Sequence, residues 1–437
     1  MRLCRVRIRG CEPAASGSNA LANKASPDQE GFCIAGLPPS DLTIHKMILT
    51  QCPVCAASLP DTSAKQCSRC KTRYCGPACQ KQHWEQGGHD QLCRKIKKAG
   101  GAEQYNANQK YAEAVAVAAE ACAADTKGQT CYICTQALHW KTKEGLVRMC
   151  ACRGTAGFAH VSCLAEQAKI LVAEVEANNL GVKVLNERWG RWYTCGLCEQ
   201  GHHGEVSCAL GWGCWKSYLG RPEADQTRGM AMTLLANGLD NADHDVDALL
   251  VREADLATRL RIGDSASNIL VAQGNLACTY KQLGRCDQAL RVRRDVYSGR
   301  MKLNGEEHKL TCGAAGNYAT SLTSVKRFKE AKSLLCRKLP VARRVLGEGD
   351  ETTLRMRWNY GGALYKDDGA TPNDLHESVA TLEETTRVAR RVLGGEHPLT
   401  KGIEGDLRNA RGALRTSEGD LEPLREAVAA MMAQGGA

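Results

Sequence analysis

Apolar residues recur every three or four positions across residues 228–434, which is the spacing of one face of an α-helix. Leu276, Tyr280 and Leu283 form one such set. The pattern itself also repeats, because three asparagines stand 42 residues apart each time: Asn275, Asn317 and Asn359. A fixed period near 40 residues is typical of a solenoid of stacked helix pairs. The sequence therefore predicts four or so helical repeats in this part of the chain.

A second repeated feature accompanies the helices. Gly305, Gly347 and Gly394 are each followed six residues later by a threonine. The last interval is 47 residues instead of 42, and the extra length fits an insertion near residues 368–374. A weaker upstream copy of the repeat covers residues 234–263. Small residues within the helices would permit close helix crossing.

These repeats contain the motifs GNLACTYKQLGRCDQAL, GNYATSLTSVKRFKEAKSL and GGEHPLT, and they resemble tetratricopeptide (TPR) repeats of the 42-residue kinesin-light-chain type. Such arrays expose a concave face that holds a peptide. The resemblance implies that Asn275, Asn317 and Asn359 bind the backbone of a partner. The alternative is that these asparagines support neighbouring helices. The arginine-rich second helix around Arg293 is expected to be a solvated face, or to attract an acidic ligand.

Cysteine is the unusual component of the composition. Seventeen of the 24 cysteines lie between Cys52 and Cys214, in two clusters. A stretch rich in Ala, Glu and Gln separates the clusters and predicts a linking helix within residues 95–128. No apolar export segment precedes the cysteines, so we expect an intracellular protein, cytoplasmic or nuclear. In such reducing compartments paired cysteines more often hold metal than form disulfides.

The first cluster contains eight potential metal ligands in the motifs CPVC, CSRC, YCGPAC and HDQLC. They are Cys52, Cys55, Cys67, Cys70, Cys75, Cys79, His89 and Cys93. A CxxC turn lets two thiolates bind one ion, and two residues four positions apart project from the same face of a helix. Eight such ligands predict two tetrahedral zinc sites. The segment is too short for a large apolar core, so zinc would decide whether it folds.

The first cluster resembles the MYND zinc finger, including Tyr74, Gln80 and Trp84 around its ligands. The resemblance implies an interleaved arrangement, which puts two groups of four on one ion each: Cys52, Cys55, Cys75 and Cys79, and Cys67, Cys70, His89 and Cys93. The four residues between Trp84 and His89 are a longer gap than the family usually has, which leaves His83 as a rival ligand. Fingers of this family bind short, often proline-containing peptides and have no catalytic activity.

The second cluster has the order four Cys, one His, three Cys, in the motifs CYIC, CACRG, HVSC and CGLC. PHD and RING-CH fingers share this order. The CxC pair, Cys150 and Cys152, and the spacing of seven residues between Cys152 and His160 resemble the RING-CH finger. The resemblance implies interleaved pairing and two further zinc ions. One group would be Cys131, Cys134, His160 and Cys163, and the other Cys150, Cys152, Cys195 and Cys198.

RING-type fingers hold a ubiquitin-loaded conjugating enzyme and perform no covalent chemistry themselves. The resemblance implies that the docking surface uses an apolar residue inside the first CxxC pair, which is Ile133 here. The family often has Trp four residues after the His–Cys pair, whereas this chain has Gln167. The gap from Cys163 to Cys195 is longer than usual and predicts a helix over residues 165–177. The alternative is a zinc-stapled interaction module without ligase activity.

Five of the seven tryptophans flank or lie inside the second cluster. They would form either a groove for a peptide or for stacked bases, or the small core around the metal sites. Cys208 and Cys214, with His202 and His203, are candidates for another metal site, although no CxxC motif supports it.

Charge and composition exclude several classes. The net charge of +10 would suit nucleic acid, as would the basic stretch 94–98, but no RRM, KH or helix-turn-helix motif accompanies them. No run of about 18 apolar residues predicts a membrane span. Lysine methyltransferases also carry MYND fingers, but this chain has no SET-like or cofactor-binding segment. The basic start of the chain leaves a transit peptide as the alternative to a disordered leader.

We therefore predict a mostly α chain in which two small interleaved, cross-brace zinc-finger modules precede an α-helical TPR solenoid. The predicted domains are a disordered leader (1–50), a MYND finger (51–94), a linking helix (95–128), a RING-CH-like finger (129–218) and TPR-like repeats (228–434). The predicted function is a zinc-binding adaptor for proteins or peptides, with no catalytic residue of its own. One alternative is an E3 ubiquitin ligase that recruits its conjugating enzyme through the second finger. A further alternative is a chromatin or nucleic-acid-associated regulator.

Overall fold

The structure is a computed structural model that describes residues 52–55, 57, 59 and 65–434, with side chains up to residue 418. The predicted leader over residues 1–50 lies outside these residues. Within them the chain forms sixteen α-helices, one 3₁₀ turn and one pair of two-residue strands, which confirms the mostly α prediction. The chain divides into two compact units that meet in sequence between Asp264 and Ser265.

The first finger is built on a short hairpin and two helices. Strands β1 (Lys65–Gln66) and β2 (Arg73–Tyr74) pair antiparallel, with Lys65 opposite Tyr74. Helix α1 (Pro77–Glu85) starts at a proline, whose fixed φ suits the first helical position. Helix α2 (His89–Ala99) follows, and its basic residues 94–98 are mostly exposed to solvent. The buried cluster of this finger contains Tyr74 and Ile96 together with four of its cysteines.

The predicted linking helix is present and runs into the second finger. Helices α3 (Ala102–Ala121) and α4 (Ala123–Thr126) cover most of the predicted stretch. Buried α3 residues such as Ala114 and Ala118 belong to the same core cluster as the second finger. The linker is therefore packed against the finger instead of serving as a separate spacer.

The second finger combines zinc-ligand loops with a helical core. Its helices are α5 (Val161–Ala177), α6 (Gly181–Trp189) and α7 (Gly204–Tyr218), with a 3₁₀ turn over Gly190–Trp192. Helix α5 covers the helix that the sequence predicts over residues 165–177. Trp189, Trp192 and Tyr218 form a ring cluster with centroids 5.5–6.4 Å apart. Such offset and edge-on aromatic contacts stabilise a small core.

Two further helices complete the first unit. Helix α8 (Gln226–Asn241) crosses α7, and α9 (Asp245–Arg261) returns along α8. A Cβ on Gly238 would lie 2.5 Å from the Ser207 carbonyl oxygen, and a Cβ on Gly211 would lie 3.1 Å from Leu235 Cα. The two glycines therefore let the helix backbones touch. This close crossing places the upstream repeat copy, residues 234–263, in the same unit as the fingers.

The second unit is an array of antiparallel helix pairs. Its helices are α10 (Ala266–Gln282), α11 (Cys286–Asn304), α12 (Lys309–Ser324), α13 (Phe328–Leu346), α14 (Glu351–Tyr365), α15 (Pro372–Leu393) and α16 (Pro398–Gln434). Each helix packs on the next one. Leu276 and Tyr280 are buried as their spacing indicates, and the small residues Ala277 and Ala289 are buried where the helices cross. The stacked helical repeats that the 42-residue period predicts are present.

The repeated glycines end the second helix of successive pairs. Gly305, Gly347 and Gly394 have φ values of 78°, 91° and 88°, a region that favours glycine. The Thr311 hydroxyl donates to the Gly305 carbonyl at 2.8 Å, which stabilises the turn.

The structure also explains why 47 residues, instead of 42, separate Gly347 from Gly394. The loop between α14 and α15 has six residues against three between α12 and α13, and α15 has 22 residues where α13 has 19.

One expectation for the repeats is wrong. Arg293 does not lie on a solvated face but is buried. Its guanidinium donates to the backbone carbonyl of Asn317 at 3.2 Å and to the Ser321 hydroxyl at 3.1 Å, so it joins one repeat to the next. Its neighbours Arg291 and Arg294 are exposed, as expected. The long aliphatic stem explains why periodicity misplaced this residue, since an arginine can pack among apolar side chains.

The α7–α8 crossing yields a testable prediction. Replacing Gly238 by alanine puts a methyl group against the α7 backbone, and overpacking of this kind costs about 1–3 kcal/mol. We expect the amides of α7 and α8 to exchange hydrogen faster in Gly238→Ala than in the wild type. Gly274→Ala is the matched control, because Gly274 lies within α10 with nothing within 4 Å of its added methyl group. Equal exchange in the wild type and Gly238→Ala would contradict the close crossing.

Candidate metal centres

The structure gathers the sixteen predicted ligand residues into four groups of four. Within each group the ligand atoms all lie within 4.8 Å of one another. We name them by order of their first cysteine: tetrad 1 (Cys52, Cys55, Cys75, Cys79), tetrad 2 (Cys67, Cys70, His89, Cys93), tetrad 3 (Cys131, Cys134, His160, Cys163) and tetrad 4 (Cys150, Cys152, Cys195, Cys198). These are the interleaved groups that the two family resemblances imply. Each finger therefore has the cross-brace arrangement.

Tetrad 1 joins a backbone turn to the start of α1. The Cys52 N–H donates to the Ala57 carbonyl at 2.8 Å, which closes the turn that carries the first two thiols. Cys75 lies just before α1 and Cys79 lies in its first turn. The Cys75 Sγ atom is 3.4 Å from Cys55 Sγ and 3.5 Å from Cys79 Sγ. Cys55 and Cys75 are exposed, so solvent reaches this tetrad.

Tetrad 2 is buried in all four members. Cys67 and Cys70 lie in a turn of the same kind, and His89 and Cys93 lie on the first two turns of α2. The Cys67 and Cys93 sulfur atoms are 3.8 Å apart, and Cys70 Sγ is 3.4 Å from His89 Nε2. His83, the rival ligand, stays outside the tetrad. Its Nδ1 is 3.1 Å from the Tyr74 hydroxyl instead.

Tetrad 3 is held by the first loop of the second finger and the start of α5. His160 immediately precedes α5, and its Nδ1 atom is 3.3 Å from Cys134 Sγ and 3.7 Å from Cys163 Sγ. The other ring nitrogen, Nε2, is 3.4 Å from the Ala137 carbonyl oxygen. This contact orients the ring in the way that an outer-shell partner orients a metal-bound histidine.

Tetrad 4 connects the CxC segment to the last CxxC turn. The Cys152 and Cys195 sulfur atoms are 3.7 Å apart. Gly157 has φ 85°, and a Cβ there would lie 2.8 Å from Cys152 Sγ. Only glycine fits this position, because any side chain would both strain the backbone and displace the thiol. The sequence shows this glycine in the CRGTAG run but not its contact with the tetrad.

The same backbone hydrogen bond recurs in the CxxC turns. Cys67, Cys131 and Cys195 each donate their N–H to the carbonyl five residues later, at 2.8–3.0 Å. The residue after the second cysteine has positive φ in each case: Lys71, Thr135 and Glu199. These turns point both thiols to the same side. Separations of 3.3–3.8 Å between ligand atoms fit four donors around one zinc ion, whose bonds of about 2.0–2.3 Å give edges near 3.3–3.8 Å.

The same turn occurs once without cysteines, which sequence reasoning missed. His139 donates its N–H to the Glu144 carbonyl at 3.1 Å, and Lys143 has φ 59°. His139 Nδ1 accepts the Thr142 N–H at 3.1 Å and lies 2.7 Å from the Thr142 hydroxyl. A histidine and a threonine therefore occupy the positions of the two thiols. No CxxC spacing could have indicated this turn.

The thiols of a tetrad compete for their protons. Burial raises the pKa of Cys67, but hydrogen bonds from the Cys70 backbone and the His89 side chain outweigh it, and the pKa falls to about 6. Burial and the neighbouring thiols raise the pKa of Cys93, in the same tetrad, to about 11. All the thiols of such a group cannot ionise together in the absence of a cation. A divalent ion removes the conflict because it stabilises every thiolate it binds.

The tryptophans of the second cluster lie mainly in the core. Trp189, Trp192, Trp212 and Trp215 are buried in the core cluster of the first unit. Trp140 is different, since 68% of it is exposed, and Leu138 beside it is 58% exposed. The core interpretation therefore accounts for four of the five, and Trp140 alone is available for contact with a partner.

The further site considered for Cys208, Cys214, His202 and His203 does not form. Cys208 and Cys214 are both buried on α7, but their thiols do not come together with each other or with His202 or His203 in any group of ligand atoms within the described residues. His202 is buried and neither of its ring nitrogens has a hydrogen-bond partner within the described residues. Cys208 lies instead with Glu205 and His244.

The predicted partner-binding residues occupy different environments. Ile133 is half-buried against the core of the first unit. Asn317 is exposed on α12, and Asn275 is half-buried on α10. Asn359 on α14 donates its side-chain amide to the Thr320 hydroxyl of α12 at 2.7 Å. That bond supports a neighbouring helix, which is the structural alternative for this asparagine.

Two family models match the chain. The MYND finger model matches residues 52–93, and the RING-variant domain model matches residues 131–176. These matches confirm the two finger types that the motifs predict. The second match ends before Cys195 and Cys198, although the structure groups both residues with Cys150 and Cys152. The four tetrads are consistent with four zinc ions, two in each finger.

No curated protein sequence matches the chain. Among solved structures, BtubC (BKLC) from P. vanneervenii is 16% identical with a TM-score of 0.41, and the match covers 52% of this chain and 91% of BtubC. The nearly identical TPR-like repeats of a Podosopora anserina protein named as a kinesin light chain are 16% identical with a TM-score of 0.36. That match covers 53% of this chain and 97% of the other.

Hydropathy adds one observation. Among the helices of the described residues, none combines the length and the apolar character that crossing a bilayer requires.

Metal removal from one finger should leave the other intact. Replacing Cys67 by alanine removes a buried ligand of tetrad 2, and structural zinc contributes on the order of 10–16 kcal/mol to small fingers. We expect native mass spectrometry to show loss of zinc from the first finger and retention of the two ions of the second. Cys312→Ala is the control, because Cys312 is buried in α12 away from any tetrad. Loss of all four ions from Cys67→Ala would contradict independent fingers.

Proposed function

We propose that the sixteen residues of the four tetrads bind four zinc ions and that the chain is an adaptor that brings protein partners together. The MYND and RING-variant fingers and the helical repeats are all types of module that bind proteins. The observation that best supports an adaptor is the array of helical repeats, which presents an exposed asparagine on one helix face. The finer assignments below concern which surface binds which kind of ligand.

The repeat surface is formed by the first helix of each pair. Helix α14 contacts both α12 and α16 directly, in addition to its contacts with the second helices α13 and α15. Elements on the inner side of a curved stack lie closer together, so the first helices line the inner face. Asn317 is exposed on α12, one of these first helices, and its backbone carbonyl accepts a hydrogen bond from the buried Arg293. The position is therefore rigid and suits a hydrogen bond to a peptide backbone.

The adaptor proposal predicts a peptide-binding defect in Asn317→Ala. Peptides selected on the full-length protein from a random library should bind about two- to tenfold more weakly, because one lost hydrogen bond is worth about 0.5–1.5 kcal/mol. The control is Asn373→Ala, since Asn373 is exposed on the second helix α15. Fluorescence anisotropy measures both affinities. Unchanged affinity in Asn317→Ala, for every peptide whose binding needs the repeats, would exclude Asn317 as a contact.

A second candidate function is that of an E3 ubiquitin ligase. Leu197, inside the last CxxC turn, is 52% exposed, and Ile133 occupies the corresponding position in the first turn. A Cβ on Gly196, next to Leu197, would lie 3.6 Å from the Tyr132 hydroxyl and 4.0 Å from Gln167 Oε1. The two loops and α5 therefore converge on one surface. Gln167 makes that surface more polar than the tryptophan that the family often has.

The ligase candidate predicts autoubiquitination with a suitable conjugating enzyme. Ile133→Ala and Leu197→Ala should each abolish chain formation while the protein keeps four zinc ions, because both remove apolar contact area from the docking surface. Val246→Ala is the matched control, since Val246 is an exposed apolar residue on α9. Immunoblots over a panel of conjugating enzymes measure the activity. If no enzyme supports chains on the zinc-loaded wild type, the adaptor function stands alone.

A further inference from the structure

Among the residues that the structure describes, one more group of metal-ligating side chains comes together outside the four tetrads. The donor atoms of Glu205, Cys208 and His244 lie within 4.8 Å of one another. Glu205 and Cys208 are three residues apart on the first turns of α7, so they project from one helix face. His244 comes from a distant segment, immediately before α9. This group is separate from the zinc-finger motifs and has no CxxC spacing.

The fold holds His244 in this position. The close α7–α8 crossing at Gly238 brings the end of α8 onto the first turn of α7. The side-chain amide of Asn241 then donates to the Ser207 hydroxyl at 3.0 Å, and the His244 N–H donates to the Leu239 carbonyl at 2.9 Å. The His244 side chain makes no capping hydrogen bond to α9. Its ring is therefore turned toward α7 by the backbone around it.

The separations suit an ion better than a direct contact. His244 Nε2 is 3.8 Å from Glu205 Oε2, which is too long for a hydrogen bond. The Cys67 and Cys93 sulfur atoms of tetrad 2 are separated by the same distance. Two ligands of one zinc ion, at about 2.0–2.2 Å from it, lie somewhat more than 3 Å apart. A small side-chain rotation of the exposed His244 would close the remaining gap.

The surrounding charges also favour a cation. Cys208 is buried, and the carboxylates of Glu205 and Asp247 and the ammonium group of Lys110, on α3, are the charges that act on its thiol. Among these groups, two negative charges outnumber one positive charge. Zinc binds this combination of sulfur, nitrogen and carboxylate oxygen donors.

We propose that Glu205, Cys208 and His244 form a fifth zinc site, with three protein ligands and a water molecule in the fourth position. The ion would fasten the first helical repeat, α8 and α9, to the last helix of the second finger. The site has one protein ligand fewer than each tetrad, and its histidine is exposed, so it binds zinc more weakly. It therefore fills only after the four tetrads are full. It responds to the free zinc concentration, whereas the tetrads hold their ions permanently.

Zinc titration of the full-length protein tests the proposal. Protein already loaded with four ions is titrated with zinc in the presence of a chromophoric chelator, and native mass spectrometry counts the ions. We expect a fifth ion in the wild type. His244→Ala should weaken it on the order of tenfold or more, since even outer-shell partners of a metal contribute 10–100-fold. Cobalt added to protein whose four tetrads already hold zinc should show a thiolate charge-transfer band that Cys208→Ala removes.

The controls separate ligand loss from damage to the fold. Cys214→Ala changes a fully buried thiol on the same helix and should keep the fifth ion. His244→Ala changes an exposed side chain, so it remains informative if Cys208→Ala does not fold. A wild type that never exceeds four ions under excess zinc would overturn the proposal. So would a His244→Ala variant that binds the fifth ion as tightly as the wild type, and in either case the tetrads and the adaptor function would be unaffected.

Discussion

Coordination of zinc by thiolates and imidazoles is the interaction on which the fingers depend. In the first finger, four of the six buried cluster residues are ligands: Cys52, Cys67, Cys70 and Cys93. Tyr74 and Ile96 are the other two, and only partly buried side chains such as Leu59 and Leu92 pack against them. Fully burying an aliphatic or aromatic side chain is worth about 1.5–3 kcal/mol. Two ions at on the order of 10 kcal/mol each therefore exceed everything else that this segment can bury. Metal binding and folding are the same event in this part of the chain.

The second finger is stabilised both by its metal ligands and by an aromatic core. Trp192 is fully buried and packs with Trp189 and Tyr218, in the same core cluster as the ligands Cys131 and Cys163. Tyr218 ends α7, and α7 is also the surface on which α8 packs. The last helix of the finger thereby becomes the first layer of the helical region, which explains why the compact unit extends to Asp264.

The parts that could be predicted from sequence are those fixed by local spacing. A CxxC turn brings two thiols together within a few residues, and a 42-residue period specifies one helix pair. Both can therefore be recognised in the amino-acid sequence. The grouping of the ligands came from family resemblance, since eight donors can be divided in many ways. The α7–α8 crossing left no such pattern. It depends on Gly211 and Gly238, 27 residues apart, each of which matters only because of what lies opposite. The burial of Arg293 and the meeting of Cys208 with His244 depend on packing in the same way.

Metal coordination in the fingers and apolar packing in the repeats produce two kinds of surface. Because ions hold the finger loops, apolar side chains there need not all be buried, and Trp140, Leu138 and Leu197 are largely exposed. The CxxC turn beside Leu197 is closed by backbone hydrogen bonds, so little conformational entropy is lost when a partner covers it. The repeats bury most of their apolar residues between helices. Polar side chains such as Asn317 and Arg291 are exposed, together with a few apolar ones such as Leu303 and Val392. The adaptor function proposed above therefore predicts that the apolar finger loops and the more polar repeats bind partners of different chemistry.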